Sequence, residues 1–420
     1  MKKINNKQLV KKYPIDSAGV IHMASLTKHY ANTFRIAITM KERVDKEILQ
    51  EAFNDVRGRF PTIVAGIRKG VCNYYLVPAF NNVEVEHDDG ILKPLSRERV
   101  KNCAMKVLYR DNKISIEIFH TITDGTGGSV FTKTLIARYI ELKYSNNIDY
   151  TEDILNYKDD IKEYEIRDEY MVHAGEKTTP ANKELVYRIP GKCCKDDEHE
   201  VIVHRYNTSD LLEKSHKYHT TLTNFLTATM VETIFSIQNN GDVTENGSRY
   251  KDIQIMVPIN LRKIFKSNTL YNFTLFALPK FNKEDKNKTL QELINKAADQ
   301  LKQQGSKDNL KKMMATNVRS QNMFLMKYMP LFIKENLLKI VYKVFGERNS
   351  CISVSNFGEF KIPDSMAEHI SDIEFILTPR RNASYNCSLI SYNGYTNISI
   401  SKKGYGCGLE EIFHNCIEQA

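Results

Sequence analysis

The part of this sequence best suited to proton-transfer chemistry is a histidine followed by an aspartate-glycine pair. It lies in Phe119-His120-Thr121-Ile122-Thr123-Asp124-Gly125. An imidazole with an ordinary pKa can take a proton from a hydroxyl or an amine at neutral pH. A single histidine at a strand end is more often a satisfied core residue than a catalytic one. Whether His120 is catalytic must therefore be judged from the residues around it. Asp124 can bond local backbone or meet a cation, and we interpret it as structural.

The predicted strand before this turn orients the histidine. Side chains alternate along a strand, so the isoleucines of Ile114–Ile118 share one face with His120. A histidine that ends an inward-facing row is expected at the mouth or floor of an interior space. The glycine-rich segment Thr123–Gly128 is predicted to turn the chain sharply into the next helix.

Hydrophobic periodicity places this strand among both strands and helices in the first part of the chain. Predicted strands are Thr33–Met40, Met105–Tyr109 and Ile114–Phe119, with alternating positions at Ile63–Ile67 and Tyr74–Val77. Predicted helices are Asp45–Arg57 and a segment that runs through Tyr139. The fold class indicated is therefore α/β (α+β).

Polar, breaker-rich segments at Gly175–Pro180 and Pro190–Glu198 favour a domain boundary between residues 1–185 and 186–420. Beyond it we predict another set of strands and helices, with a surface loop at Asn239–Arg249. The strands are Val201–Tyr206 and Ile253–Val257, and the helices are Asp210–Tyr218 and Leu222–Gln238.

The end of the chain repeats the arrangement around His120. Strands at Ser388–Tyr392 and Thr396–Ser401 flank Asn393-Gly394, a strong hairpin signal, and a helix is predicted from Leu409. The position that corresponds to His120 falls near glycine and lysine. This is the pattern of a degenerate second copy, in which only the first copy keeps the chemistry.

Bulk composition narrows the function classes. The 420 residues carry 60 basic and 51 acidic side chains, for a net charge of +9, scattered rather than clustered, so nucleic-acid binding is not expected. No apolar run approaches the roughly 20 residues of a transmembrane helix, and the first residues lack the apolar core of a signal peptide. Eight cysteines without a Cys-x-x-Cys pair favour reduced thiols and a cytoplasmic protein.

Neither a metal site nor a nucleotide loop is expected. His216 and His219 stand three residues apart without a third ligand. The glycines at 125–128 do not have the spacing of a phosphate-binding fingerprint.

His120-x-x-x-Asp124-Gly125 resembles the signature of the CoA-dependent acyltransferases. This family includes chloramphenicol acetyltransferase, alcohol acetyltransferases, plant acyltransferases and peptide-synthetase condensation domains. Three further segments are similar to parts of that family and follow in its order: Leu222–Glu232, Val257–Arg262 with Tyr271-Asn272-Phe273, and Val354–Gly358. The resemblance thus spans almost the whole chain, and in motif style it is nearest to bacterial alcohol acetyltransferases and condensation domains.

The resemblance implies two chloramphenicol-acetyltransferase-like subdomains, each a mixed β-sheet flanked by helices, with a channel between them. It implies that an acyl group, most simply acetyl, passes directly from acyl-CoA to a hydroxyl or amine of a small acceptor. His120 would be the general base, within a motif completed by Gly125. Asp124 would form a structural ion pair with Arg262.

Ser355 and Asn356 are candidates to line the channel and to donate to the oxyanion, although a hydrogen-bonded strand end explains them equally well. Two departures from the family pattern are visible. Phe119 replaces the first of the two histidines found in many relatives. The chain also has no tryptophan, whereas the plant branch carries an aspartate-phenylalanine-glycine-tryptophan-glycine motif.

Two alternatives stay open. The first is condensation chemistry on a carrier-protein thioester, which would need a docking surface for the carrier and its pantetheine arm. The second is a binding module that keeps the fold without turnover, which predicts an obstructed channel or a histidine held away from open space.

Overall fold

The chain is represented by a computed structural model that describes residues 11–27, 30–79, 83–90, 92–179, 186–192, 199–240, 251–322, 328–341, 349–380 and 383–420. The predicted loop at Asn239–Arg249 falls outside these ranges except for its first two residues, which end a helix. Parts of both predicted boundary segments also fall outside them. The division into 1–185 and 186–420 stays a prediction.

Strands and helices alternate along the chain, as the periodicity predicted. The strands are β1 Tyr13–Pro14, β2 Thr33–Met40, β3 Ala65–Lys69, β4 Tyr74–Pro78, β5 Glu86–His87, β6 Met105–Arg110, β7 Lys113–Phe119, β8 Gly191–Lys192, β9 His199–Asn207, β10 Ile253–Asn260, β11 Thr274–Ala277, β12 Lys280–Phe281, β13 Ile352–Glu359, β14 Ile370–Leu377, β15 Tyr385–Tyr392, β16 Tyr395–Lys403 and β17 Tyr405–Gly406.

The helices are α1 Ser17–Ser25, α2 Lys46–Val56, α3 Arg97–Asn102, α4 Gly125–Tyr144, α5 Glu169–His173, α6 Thr208–Lys217, α7 Leu222–Asn240, α8 Arg262–Phe265, α9 Leu290–Gln304, α10 Lys307–Asn322, α11 Leu331–Val341, α12 Asp364–Ala367 and α13 Leu409–Gln419. None of them is long and apolar enough to cross a membrane. Among the described cysteines no disulfide forms.

One sheet carries the predicted hairpin before His120. Within the described residues its strand order is β14-β2-β7-β6-β5. β2 is antiparallel to both β7 and β14, with Ile36 opposite Ile116 on one side and Phe375 on the other. The edge strand β14 comes from far along the chain, so residues beyond 186 complete this sheet.

β7 is buried on both of its faces. Its isoleucines enter the main hydrophobic core, as the alternation predicted. Glu117, on the other face, is also buried. It forms an ion pair with Arg35 at 2.6 Å, and Arg35 forms a second ion pair with Asp88 at 2.9 Å. Buried charges are tolerated when they are paired in this way. The strand is therefore rigidly held up to the residue before His120.

A second, larger sheet follows the order β11-β10-β13-β15-β16-β9 in the described part of the chain, with β12 paired to β10. The helices α7, α9 and α13 pack together beside it. The turn between β15 and β16 is formed by Asn393 and Gly394, both with positive φ. This confirms the predicted hairpin, which depends on residues that tolerate that conformation.

The two sheets meet along β14. Ser388 Oγ on β15 donates to the Phe375 carbonyl at 2.7 Å, and Asn397 Nδ2 on β16 donates to the Ile373 carbonyl at 2.8 Å. Side chains of the second sheet thus hold the edge strand of the first. The arrangement is a two-subdomain α/β fold with mixed sheets flanked by helices, which confirms the predicted fold class.

The segment after His120 differs from the prediction of a glycine-rich turn. Asp124 caps the helix and α4 begins at Gly125, so Gly127 and Gly128 lie in its first turn. A Cβ on Gly127 would lie 2.5 Å from the Leu270 carbonyl oxygen, and one on Gly128 would lie 2.8 Å from the Phe34 ring. Glycine is needed here for close packing of the helix start rather than for a turn.

Candidate active site

His120 directly follows β7, and its ring stacks on that of a second histidine, His22. Its backbone N–H donates to the Asn32 carbonyl at 2.8 Å. The His22 ring on α1 stacks on its ring with centroids 4.3 Å apart, and Phe34 meets it edge-on at 5.4 Å. The residue is half-buried. The imidazole is therefore held in a defined orientation, and the residue as a whole is not fully shielded from solvent.

One ring nitrogen of His120 forms a hydrogen bond with an asparagine side chain. Nδ1 lies 3.0 Å from Asn272 Oδ1. Because an amide oxygen only accepts, Nδ1 must carry the proton of the neutral ring. Nε2 then keeps its lone pair, which is the form that a general base requires.

Asn272 is oriented in turn by the buried carboxyl group of Asp16, whose pKa is raised to about 7 by burial and by the nearby Asp168. Its Nδ2 and its backbone N–H both donate to Asp16 Oδ2, at 3.0 and 3.1 Å. The amide nitrogen must face this acceptor, which leaves the oxygen for His120. Asp16 Oδ1 also caps α1 by accepting from the backbone of Ala18 and Gly19. The chain His120, Asn272, Asp16 thus fixes the tautomer of the histidine.

The second histidine has the opposite tautomer. His22 Nδ1 lies 2.8 Å from Asn32 Nδ2, which donates, so His22 Nδ1 accepts and Nε2 carries the proton. Burial, together with the neighbouring His120, holds the pKa of His22 well below its ordinary value. At neutral pH His22 is therefore an uncharged aromatic ring with one N–H donor.

His120 is also neutral at pH 7. Burial lowers its pKa below 6.5, against the opposing effects of the Asp124 charge, its own backbone carbonyl and Asn272. Burial prevails because the charged imidazolium loses hydration that these partners replace only in part. The side chain is therefore ready to accept a proton.

Asp124 binds four donors from two regions of the chain. Oδ1 accepts from the Gly127 backbone at 3.1 Å. Oδ2 accepts from Arg262 Nη1 at 2.8 Å, from the Phe273 backbone at 2.7 Å and from Thr274 Oγ1 at 2.8 Å. Although burial raises the pKa of Asp124, Arg262 and these donors hold it below its ordinary value. The carboxylate is ionised and engaged, as a structural residue would be.

The ion pair between Asp124 and Arg262 also positions Asn272. Arg262 donates to the Thr269 carbonyl at 2.9 Å and to the Tyr271 carbonyl at 2.6 Å. Asp124 holds the N–H of Phe273. The residues on both sides of Asn272 are therefore fixed by one buried ion pair. His120 and its orienting partner Asn272 thus depend on the same contact.

The other predicted site residues have contacts of their own in the described part of the chain. Gly125 begins α4, where an added Cβ would make an ordinary contact of 3.4 Å with Phe357. Asn356 is exposed, and its side chain bonds Thr223 and the Gly358 backbone instead. Ser355 is largely buried on β13. Within the described residues neither side chain forms a hydrogen bond to His120.

The roles of His22, Asp16, Asn32 and Asn272 are not predicted by the sequence patterns. Asp16-Ser17 before an apolar stretch is a recognisable helix cap, so α1 itself was within reach of the sequence. No periodicity places α1 against the end of β7, because that contact depends on tertiary packing. Among the described residues no group of three His, Cys, Asp or Glu side chains is placed to hold a metal.

No family model matches the sequence, and no curated protein matches it. Solved structures do match over nearly the whole chain. One is F. sporotrichioides TRI101 complexed with coenzyme A and T-2, at TM-score 0.61 and 10% identity, with 97% of each chain covered. Another is the first condensation domain of the CDA synthetase, at TM-score 0.61 and 10% identity, covering 97% of this chain and 95% of that one.

A third is the TRI3 trichothecene 15-O-acetyltransferase from Fusarium sporotrichioides, at TM-score 0.59 and 11% identity, covering 97% of this chain and 94% of that one. At such identities the likeness concerns the fold. The predicted resemblance is confirmed at that level: this chain has the chloramphenicol-acetyltransferase-like fold shared by acetyltransferases and condensation domains.

Proposed function

We propose that this protein is an acyltransferase that moves an acyl group from acyl-CoA to a hydroxyl or amine of a small acceptor, with His120 as general base. The observation that carries the proposal is the fixed tautomer of His120. Asn272 occupies Nδ1, so the lone pair of Nε2 is free. An alcohol is a weak nucleophile at neutral pH, and a positioned base contributes roughly two to four orders of magnitude in rate.

The reaction balances without an acyl-enzyme. Nε2 takes the proton of the acceptor O–H or N–H while the acceptor atom attacks the thioester carbonyl. The tetrahedral intermediate then expels the thiolate, which receives that proton from His120. Holding the two substrates in one channel supplies further acceleration. Ser355 is our candidate oxyanion donor, whereas Asn356 Nδ2 would first have to leave Thr223.

The fold supports two donor classes. The matched TRI101 structure contains coenzyme A, which favours acyl-CoA, and acetyl-CoA is the simplest donor to test. A condensation domain matches at the same TM-score, so a carrier-protein thioester is the second candidate. The binding-module alternative is disfavoured because His120 is half-buried and keeps a lone pair for chemistry.

The test of the donor class is a paired assay. Purified protein is incubated with a panel of alcohols and amines and either acyl-CoAs of increasing length or an acylated carrier protein, and the products are identified by mass spectrometry. Acylated acceptor from the CoA arm supports the proposal. Product from the carrier arm alone would support condensation chemistry, and no product in either arm would favour a binding module.

The pH dependence should report a histidine with a depressed pKa. Because burial lowers the pKa of His120 below 6.5, the base form persists as the pH falls through that value and is lost only below it. The acid limb that protonation of His120 imposes on the kcat/KM profile for acyl transfer should therefore lie below pH 6.5. An acid limb centred above pH 7 would contradict the assignment.

Asn272→Ala should lower kcat with little change in KM, because it removes the group that fixes the tautomer of His120. Loss of one such hydrogen bond costs about 1–3 kcal/mol, which corresponds to a fall in rate of about 5- to 160-fold. Asn295→Ala, on the exposed side of α9, is the matched control. A merely structural role for Asn272 predicts that both variants keep wild-type kcat once they are folded.

The stacked ring of His22 should matter more than its nitrogens. His22→Phe keeps a ring over His120, whereas His22→Ala removes it. Stacked aromatic pairs contribute about 0.5–1.5 kcal/mol, so the alanine variant should lose roughly two- to tenfold in kcat and the phenylalanine variant much less. Equal losses in the two variants would assign the role to the N–H group instead.

A further inference from the structure

A separate cavity of about 530 Å³ lies between α1, the β3–β4 hairpin, α3 and α11. None of His120, Asn272, Asp124 and Arg262 lines it. Its size lies within the roughly 300–1,000 Å³ of small-molecule sites. α3 approaches β3 closely here because residue 66 is glycine: a Cβ at Gly66 would lie 2.2 Å from the Lys101 carbonyl oxygen. The cavity is thus a product of tight packing between defined elements.

The floor of the cavity is aliphatic. The residues that line it are Met23 on α1, Leu26 directly after α1, Ile67 on β3 and Val100 on α3, and each is at most 9% exposed. Burying apolar surface against such a floor stabilises an apolar ligand by about 25 cal/mol per Å². The floor therefore fits an aliphatic group better than a polar one.

The walls are strongly basic. Among the described residues that line the cavity, five carry cationic side chains, namely Arg68, Lys69, Arg97, Lys101 and Lys339. The single carboxylate among the described lining residues, Glu335, is bonded by Lys69 at 2.7 Å and by the Tyr74 hydroxyl. Burial raises the pKa of Glu335, but these partners bring it below its ordinary value, so it stays ionised and engaged. Positive charge remains in excess.

Arg68 has an unused donor in this wall. Its Nη1 is shielded from solvent and has no hydrogen-bond partner among the described residues. A buried donor without an acceptor costs about 1–3 kcal/mol, more when the group is charged. Other atoms of the Arg68 side chain line the cavity, so a shift of the guanidinium would bring Nη1 to an anionic oxygen bound there. A guanidinium binds carboxylate or phosphate through two parallel bonds.

We propose that this cavity binds a single-chain amphiphile with an anionic head, a carboxylate or a phosphate. The head lies against Arg68, with Arg97 and Lys101 at the rim, and the chain lies on the floor of Met23, Leu26, Ile67 and Val100. The observations that lead to this site are the aliphatic floor, the basic excess and the unused Arg68 donor. It stands independently of the acyl-transfer proposal.

Isothermal titration calorimetry of the full chain tests the head group. The probes are dodecyl phosphate, dodecanoate, dodecanol and dodecyltrimethylammonium, each below its micelle concentration. We expect one or both anions to bind at least tenfold more tightly than dodecanol, and the ammonium probe more weakly still. The phosphate and carboxylate arms identify the preferred head. Equal affinities for all four probes would overturn the proposal.

Variants test the location. Arg68→Met should weaken binding of the preferred anion at least tenfold and leave dodecanol unchanged, whereas Lys361→Met, an exposed lysine outside the cavity, should change neither. If Arg68→Met does not fold, Lys101→Glu on the exposed rim should give the same loss. Wild-type anion affinity in a folded variant of either residue would contradict the site. Binding should persist in His120→Ala, which separates this site from catalysis.

Discussion

Arg262→Ala should destabilise the protein by about 3–5 kcal/mol, the cost of removing one partner from a buried ion pair. Asp124 and Arg262 are both nearly inaccessible, with side chains 2% and 8% exposed. Without the guanidinium, the Asp124 carboxylate would stay buried with three weaker donors. The carbonyls of Thr269 and Tyr271 would also lose their partner.

Chemical denaturation of the wild type and the variant measures this effect through the shift in the unfolding midpoint. Arg110→Ala is the matched control, because Arg110 is half-exposed and its contact with exposed Asp111 is 3.7 Å, a pair worth about 0–1 kcal/mol. A paired substitution, Arg262→Met with Asp124→Leu, should recover part of the loss, since neither charge is then left alone. If Arg262→Ala costs no more than Arg110→Ala, the pair does not organise the site.

The sequence was sufficient for the local part of this site. Alternation in Ile114–His120 oriented the histidine inward, and the Asn393-Gly394 turn and the β2 and β6–β7 strands lie where the patterns predicted. These features depend on residues close together in sequence. The ion pair of Asp124 with Arg262 came from family resemblance rather than from any pattern in the chain.

The sequence patterns did not predict the contacts between elements that lie far apart along the chain. Asp16 reaches Asn272, and His22 reaches His120, only because α1 packs against the end of β7 and the loop at 269–273. Nothing in their local sequence encodes that approach. Gly127 and Gly128 were interpreted as turn residues because a glycine run has several structural explanations. Their role in a helix start becomes visible only once Leu270 and Phe34 are seen against them.

His120→Ala should reduce acyl transfer by about two to four orders of magnitude, because it removes the only proton acceptor that the account assigns. The residual rate would come from holding the two substrates together. KM should change little, since the imidazole acts on the proton rather than on the bulk of either substrate. His216→Ala, an exposed histidine on α6, should leave the rate unchanged. Circular dichroism of both variants checks that they are folded.

The role of His120 is tested by the release of free thiol from acetyl-CoA in the presence of an acceptor, followed in parallel for wild-type protein and folded His120→Ala. Thiol release by the wild type should depend on the acceptor and should fall at least a hundredfold in the variant. Equal release by the two proteins would contradict the assignment of His120 as the base.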